Sequence, residues 1–546
     1  MKRILTIFAL AALAVLSSSC GASRAEQMKM ADNVKINCNP EVLALVGDKI
    51  PADITVTYPD GYFSPKAVMV VTPVLVYGNK ECAAMPFAYQ GEKIQDNKKV
   101  IPSTGGTVKE HVEFTYEEGM EKCQLELRSI VYYGKKTIEV PAIKVADGLI
   151  TTSRLACTNG EYAAKADAYQ DVITSTTEGQ ILYDVNSANV KGSELRSQSI
   201  KELKEALSAI AADPRYTVKG TQVVAYASPE GGQAYNAKLS DKRAASAEKA
   251  WAKISGNKAD EVETKSIGQD WEGFQEAVEN SNIEDKDLIL RVLSMYSDPA
   301  IREKEIRNMS QVYTEINKKV FPDLRRARFI TETDYQNFTN EELQELAEKA
   351  IGTLDEEALI RVASNTENKD RKAALLKRAA DVFGSDKAKF NLATLALDAK
   401  DPDKAASYLS QIKNVDGDVV NAMGVCELQK GNLVKAASLF NQAGTEQAKC
   451  NLGTIDILNG DYAEAAKKLE GTGARNEALA LLLNGQSNKA EAAIKCNCAC
   501  SDYLRAVIAA RKGDAAAVKA NLESAIKKNP ELKDKAAKDA EFAKYL

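Results

Sequence analysis

Asn391–Leu409, "NLATLALDAKDPDKAASYL", Asn421–Phe440, "NAMGVCELQKGNLVKAASLF", and Asn451–Leu469, "NLGTIDILNGDYAEAAKKL", repeat one pattern. Small residues recur in step, Ala393, Gly424 and Gly453, then Ala405, Ala436 and Ala465, at intervals of 31 and 29 residues. Each copy reads as two helices joined by a Gly or Asp turn, with small side chains where the helices pack closest. A unit this short cannot bury its apolar face alone, so the copies must stack on one another. Weaker copies follow in "ALALLLNGQSNKAEAAI" and "YLRAVIAARKGDAAAVKANL", and the helices after Pro530 close the stack. An all-α solenoid is therefore expected over 340–546.

The repeat resembles the tetratricopeptide repeat, with a spacing shorter than that family's usual ~34 residues. Such solenoids present extended concave surfaces, which implies a protein partner, here an unidentified envelope protein.

Upstream, the pattern changes twice. From 28 to 155, runs such as "ITVTY", "AVMVVTPVLVY", "HVEFTY" and "QLELRSIVYY" alternate or are apolar, with Gly, Pro, Asn and Asp between them. That predicts an all-β sandwich, of immunoglobulin-like type. "TSRLACTNGEYAAKADAYQD" is poorly patterned and reads as a connector with a short helix. Over 176–335 a β-α-β-α order follows, then a mostly helical passage, then a late strand in "PDLRRARFITET". The late strand makes those helices an insertion or extension within one α+β domain. The fold class is thus multidomain: β-sandwich, α+β domain, helical solenoid.

The N-terminus reads "MKRILTIFALAALAVLSSSC", a basic start at Lys2 and Arg3, an apolar run from Ile4 to Leu16, then small residues up to Cys20. This is an export signal over 1–19, too short to span a bilayer. Cys20 after small residues resembles the lipobox of bacterial lipoproteins, although Ser17 stands where the family usually has Leu. That resemblance implies an acylated Cys20 and a membrane held through its lipid. Ordinary cleavage after Ala25 is the alternative.

The chain has 72 Lys and Arg against 77 Asp and Glu, net −5, which gives no footprint for nucleic acid. One histidine, His111, excludes any site needing two, and no nucleophile motif accompanies it. Carboxylate pairs such as Glu117 and Glu118 or Glu341 and Glu342 fall on solvated faces. No catalytic residue, metal ligand set or cofactor is expected, and the chain reads as a non-enzyme. Ten cysteines include Cys38, Cys82, Cys123 and Cys157 near the front, which an oxidising compartment would allow to pair in three ways. "KCNCAC", with Cys496, Cys498 and Cys500, lacks the spacing and fourth ligand of a metal knuckle and reads as a turn between helices.

Three separated stretches, "YDVNSANVKGSEL" (183–195), "AYASPEGGQAYNAKLSDKRA" (225–244) and "LRRARFI" (324–330), resemble in order and spacing the OmpA-like domain, a peptidoglycan-binding family of the periplasm. "ASPEG" and "DWEG" make it similar to the extended variant of Bacteroidetes envelope proteins, and the whole chain resembles outer-membrane lipoproteins of that phylum. The resemblance implies a ligand, the diaminopimelate-containing stem peptide, and a location at the outer membrane, lipid-anchored and mainly periplasmic. Carried over by position, Arg243 would pair with the diaminopimelate carboxylate, beside Tyr235, Asn236 and Leu239. The family's loop Asp is Ser228 here, and Glu230 would supply the missing carboxylate if the loop turned it inward. Either the site binds wall peptide, or the chain is a structural or assembly subunit of a surface appendage or secretion complex whose OmpA-like domain no longer does.

Overall fold

The computed structural model describes residues 34–256 and 262–546; the export signal and Cys20 lie outside the described residues. The described residues form two compact units, one made of 34–165 with 368–546, the other of 166–256 with 262–367.

The first unit begins with ten strands: β1 (Lys35–Asn39), β2 (Val42–Ala44), β3 (Lys49–Tyr58), β4 (Ala67–Tyr77), β5 (Lys80–Ala83), β6 (Phe87–Gly91), β7 (Lys99–Ile101), β8 (Gly106–Thr115), β9 (Cys123–Tyr133) and β10 (Lys136–Ile150). They form two sheets, β1-β3-β8 and β2-β10-β9-β4-β6-β7, with β5 added to β4. Strict alternation puts Ile50, Ala52, Ile54 and Val56 of β3 on one face, where they share a core with Met69, Leu125, Leu127 and Val131 of the other sheet. Period-two patterning leaves each sheet one apolar face, and the two faces can only be covered by each other.

The second unit opens with β11 (Val172–Leu182), α1 (Gln198–Ala212), β12 (Tyr216–Ala227), α2 (Gln233–Ile254) and β13 (Val262–Gln269). Five helices follow: α3 (Trp271–Glu279), α4 (Lys286–Met295), α5 (Pro299–Asn308), α6 (Ser310–Lys319) and α7 (Phe321–Leu324). Then β14 (Arg326–Gln336) enters the sheet, whose order is β11-β14-β12-β13, with β12 and β13 parallel. The five helices bury their own cluster of Phe274, Ile289, Leu293, Ile316 and Phe321. That separate core is why the long passage before β14 is tolerated. The unit ends with α8 (Asn340–Lys349), opened by a Thr339/Glu342 capping box, and α9 (Glu356–Ser364).

From 368 the chain returns to the first unit with α10 (Lys369–Phe383) and five helical hairpins: α11 (Asp386–Asp398) with α12 (Pro402–Leu409), α13 (Gly417–Gln429) with α14 (Leu433–Ala443), α15 (Glu446–Asn459) with α16 (Tyr462–Leu469), α17 (Arg475–Leu483) with α18 (Ser487–Ala493), and α19 (Ala499–Lys512) with α20 (Ala515–Lys528). α21 (Leu532–Ala536) and a 3-10 turn at Ala540–Phe542 close the stack, with Phe542 buried against Tyr503.

The recurring small residues do what their period implied. A Cβ on Gly424 would lie 2.5 Å from the Phe440 ring, and one on Gly453 2.7 Å from Leu469 Cγ. Gly424→Ala is therefore expected to destabilise the first unit by about 1–3 kcal/mol through overpacking, measured by urea unfolding against the parent chain.

Candidate functional site

The stretches 183–195, 225–244 and 324–330 meet around the loop after β12 in the second unit. Asn236, in the first turn of α2, donates through Nδ2 to the carbonyls of Ser228, Glu230 and Gly231 at 3.2, 2.9 and 3.1 Å. Gln269 donates to the carbonyls of Pro229 and Gly231, and Glu303 accepts from the Gly231 N–H. Gly231 has φ +91°, a left-handed turn that explains the glycine there. The two arginines of "LRRARFI" take different carboxylates. Arg325 reaches Glu230 at 2.7 and 3.0 Å, and Arg326 reaches Asp270 of "DWEG" at 2.9 Å, while Asp270 also caps α3.

Arg243 is 1 % exposed. Its guanidinium donates to three main-chain carbonyls, Ser187 and Tyr226 at 2.9 Å and Asp184 at 3.1 Å, and lies over the Tyr183 ring at 5.0 Å. Burial depresses it to about 10. Ser228 is buried and donates to Glu230 at 3.1 Å, and Leu239 is buried in the body of α2. Of the six positions carried over from the family, only Tyr235, 53 % exposed, faces outward. Glu230 is turned inward, but onto Arg325. The loop, the first-strand segment and the last strand are thus tied to one another, each charged group facing a partner from the chain.

The first unit holds a site that the sequence reading missed. After a 3-10 turn at Thr152–Leu155 the connector runs extended, and the asparagines that open each repeat grip its backbone. Asn476 accepts from the Cys157 N–H at 2.8 Å and donates to the Cys157 carbonyl at 2.9 Å. Asn451 does the same to Glu161 at 2.7 and 2.9 Å, with Asn421 adding a second donor at 2.9 Å. Asn391 closes the series on Lys165 at 2.8 and 2.9 Å. A primary amide carries one acceptor and two donors, so Asn391, Asn451 and Asn476 each pair a peptide's N–H and C=O together, as a neighbouring strand would. The grip falls on residues 157, 161 and 165, every fourth position of the strap.

Side chains set the register. Gly160 has φ +81°, and a Cβ there would stand 2.5 Å from Val425 Cγ1, so only glycine passes. Tyr162 donates to Asp398 at 2.5 Å, and Lys165 pairs with Asp416 while its ammonium lies 5.2 Å from the centroid of the Phe390 ring. Burial works against the Asp416 charge, but hydrogen bonds from Lys165 and the Val419 N–H outweigh it and hold the carboxyl below its ordinary value. In the second unit Arg361 holds the next stretch, donating to Asp167 at 2.8 Å and the Tyr169 carbonyl at 3.0 Å. The connector is therefore an ordered strap, and the repeat face expected to stand open for a partner is occupied by the chain itself. The signal was visible: Asn391, Asn421 and Asn451 recur at 30-residue intervals alongside the small residues.

No known protein-family profile and no curated protein matches the chain. Among solved structures, it is similar to the APC/C hetero-tetramer Cut9-Hcn1, 13% identical over 34% of this chain and 42% of that one, with a TM-score of 0.31. It is also similar to a tetratricopeptide repeat protein from Parabacteroides merdae ATCC 43184, 13% identical over 35% of this chain and 85% of that one, with a TM-score of 0.29. A Salmonella alpha-2-macroglobulin covers 85% of this chain at 12% identity and a TM-score of 0.13, matching 27% of its own length. What stands on the chain's own geometry is a multidomain protein with a β-rich N-terminal region and a C-terminal stack of helical hairpins resembling tetratricopeptide repeats, an architecture suited to docking proteins.

Proposed function

We propose that this chain is a non-enzymatic structural or assembly subunit of the cell envelope, in which the helical array docks partner proteins and the OmpA-like module serves as a scaffold that no longer holds peptidoglycan. One observation carries the reading: the two side chains that would meet a stem peptide are already committed, Arg243 to three carbonyls and Glu230 to Arg325. Taking Arg243 from those carbonyls would break three hydrogen bonds from a charged donor, which contribute about 1.5–3 kcal/mol each. Envelope location and a lipid at Cys20 rest on the N-terminal sequence, and the immunoglobulin-like type of the sandwich on strand patterning. Because the strap lies along the asparagine-bearing face of the repeats, a partner there meets the exposed Glu161, Ala163 and Ala164.

The test is co-sedimentation of the full chain with insoluble peptidoglycan. The parent chain and its Ser228→Asp variant are both expected to stay in the supernatant. Sedimentation of the parent, lost on Tyr235→Ala, would restore the wall-anchor reading, because Tyr235 is exposed and its loss leaves the internal bonds intact.

A further inference from the structure

The turn "KCNCAC" sits at the end of the strap. Cys496 and Cys498 place their sulfurs 3.1 Å apart, and Ser501 Oγ lies 2.8 Å from the first and 3.3 Å from the second. Cys498 is the N-cap of α19, a helix of fourteen residues. Arg475 bridges the cluster to the strap, donating through one Nη to Cys157 Sγ at 3.2 Å and through the other to Cys498 Sγ at 3.5 Å. The cation between the sulfurs is thus a guanidinium, and among the described residues no group of three or more His, Cys, Asp or Glu side chains is placed to hold a metal ion. Every described cysteine is a free thiol, so none of the three pairings open to the front group is formed.

We propose that Cys498 and Cys496 form a dithiol site that exchanges with external disulfides, Cys498 attacking and Cys496 resolving. Burial works against a thiolate at Cys498, but hydrogen bonds from Ser501, Arg475 and Cys496 outweigh it and bring the group down to about 6. The contrast lies within the same chain: burial pushes Cys38 up to about 11 and Cys123 up to about 12, which leaves them inert. Cys500 is exposed on the first turn of α19, two residues on and so roughly 200° around the helix from Cys498. Cys496 is the thiol in reach.

In the exchange, the Cys498 thiolate attacks one sulfur of the external disulfide, whose S–S bond breaks to release one thiolate and leave a mixed disulfide on Cys498. Cys496 then gives up its proton, which ends on a released thiolate, and attacks Cys498 Sγ. The second external thiolate departs. Two electrons pass from the cysteine pair to the external disulfide, which ends as one thiol and one thiolate, the latter taking a proton from solvent, while Cys496 and Cys498 end joined. A bridge over one intervening residue is strained and hence readily reduced, which suits exchange better than a permanent staple.

The experiment uses the reduced full chain with oxidised glutathione at pH 6, acid-quenched and peptide-mapped. At that pH a thiol with a pKa near 6 carries about 150 times the thiolate of an ordinary one, and lower intrinsic nucleophilicity reduces the advantage to about tenfold. The parent is expected to form the Cys496–Cys498 bridge, Cys496→Ser to accumulate glutathione on Cys498, and Cys498→Ser to react about tenfold more slowly. The rate against pH should have a midpoint near 6 in the parent and a higher one in Arg475→Ala. Charged or titratable groups facing the turn are Arg475 from α17, Cys157 from the strap, Asp502 and Arg505 from α19, and Lys528 from α20. Cys498→Ser reacting as fast as the parent, or Cys496→Ser carrying no glutathione on Cys498, would overturn the assignment. Thermal melts of each variant matching the parent exclude misfolding as the cause.

Discussion

Arg243→Ala is expected to destabilise the second unit by about 3 kcal/mol or more, a drop in Tm of about 6–12 °C for a unit of this size. Three carbonyls, from Asp184, Ser187 and Tyr226, lose charged donors together, and the Tyr183 ring loses the guanidinium stacked on it. Hydrogen bonds from a charged donor contribute about 1.5–3 kcal/mol each. Arg243→Lys should recover only part of the loss, because an ammonium on a single stem cannot reproduce a planar fork aimed at three carbonyls. The readout is calorimetric unfolding of the full chain. A melt unchanged by Arg243→Ala would mean that the guanidinium is dispensable to the scaffold and free to serve a ligand, and would undercut the reading of this module as structural.

The second large effect concerns the strap. In the parent chain, amide hydrogen exchange should show protection at Cys157, Glu161 and Lys165, the three residues whose N–H groups are held by asparagine side chains. Replacing Asn391, Asn451 and Asn476 together by Ala should accelerate exchange at those amides on the order of a hundredfold, because each clamp contributes about 1–3 kcal/mol to local closure. The clamps are roughly 13 Å apart along an extended chain, far enough that each amide reports the loss of its own clamp. Gly160→Ala should loosen the same segment by a different route, since a Cβ there meets Val425. Unchanged exchange in the triple variant would mean the strap is held by its side chains, Tyr162 and Lys165, rather than by its backbone.

How much of this was legible in the sequence differs by element. The helical hairpins were, because Gly424, Gly453 and Ala465 fall at recurring positions and small residues there report close helix packing directly. The β-rich region was, because alternation over "KIPADITVTY" already sorts the two faces of one strand. The strap's own residues carry no periodicity, since it is gripped by its main chain; its trace lay instead in the asparagines that recur through the repeats, Asn391, Asn421 and Asn451. The candidate loop was legible as a resemblance and opaque as chemistry. Nothing in "ASPEG" says that the Glu230 carboxylate meets an arginine 95 residues downstream.

By itself the sequence determined which segments become strands, which become helices, and that the helices repeat, because those are decisions made over a few neighbouring residues by propensity and apolar period. Only the tertiary structure decided which partner each buried polar group takes. Asn476 meets Cys157 across 319 residues, and Asn451 meets Glu161 across 290. The physical reason is that a buried donor or acceptor must find a partner wherever the fold brings one, and local pattern carries no information about that distance.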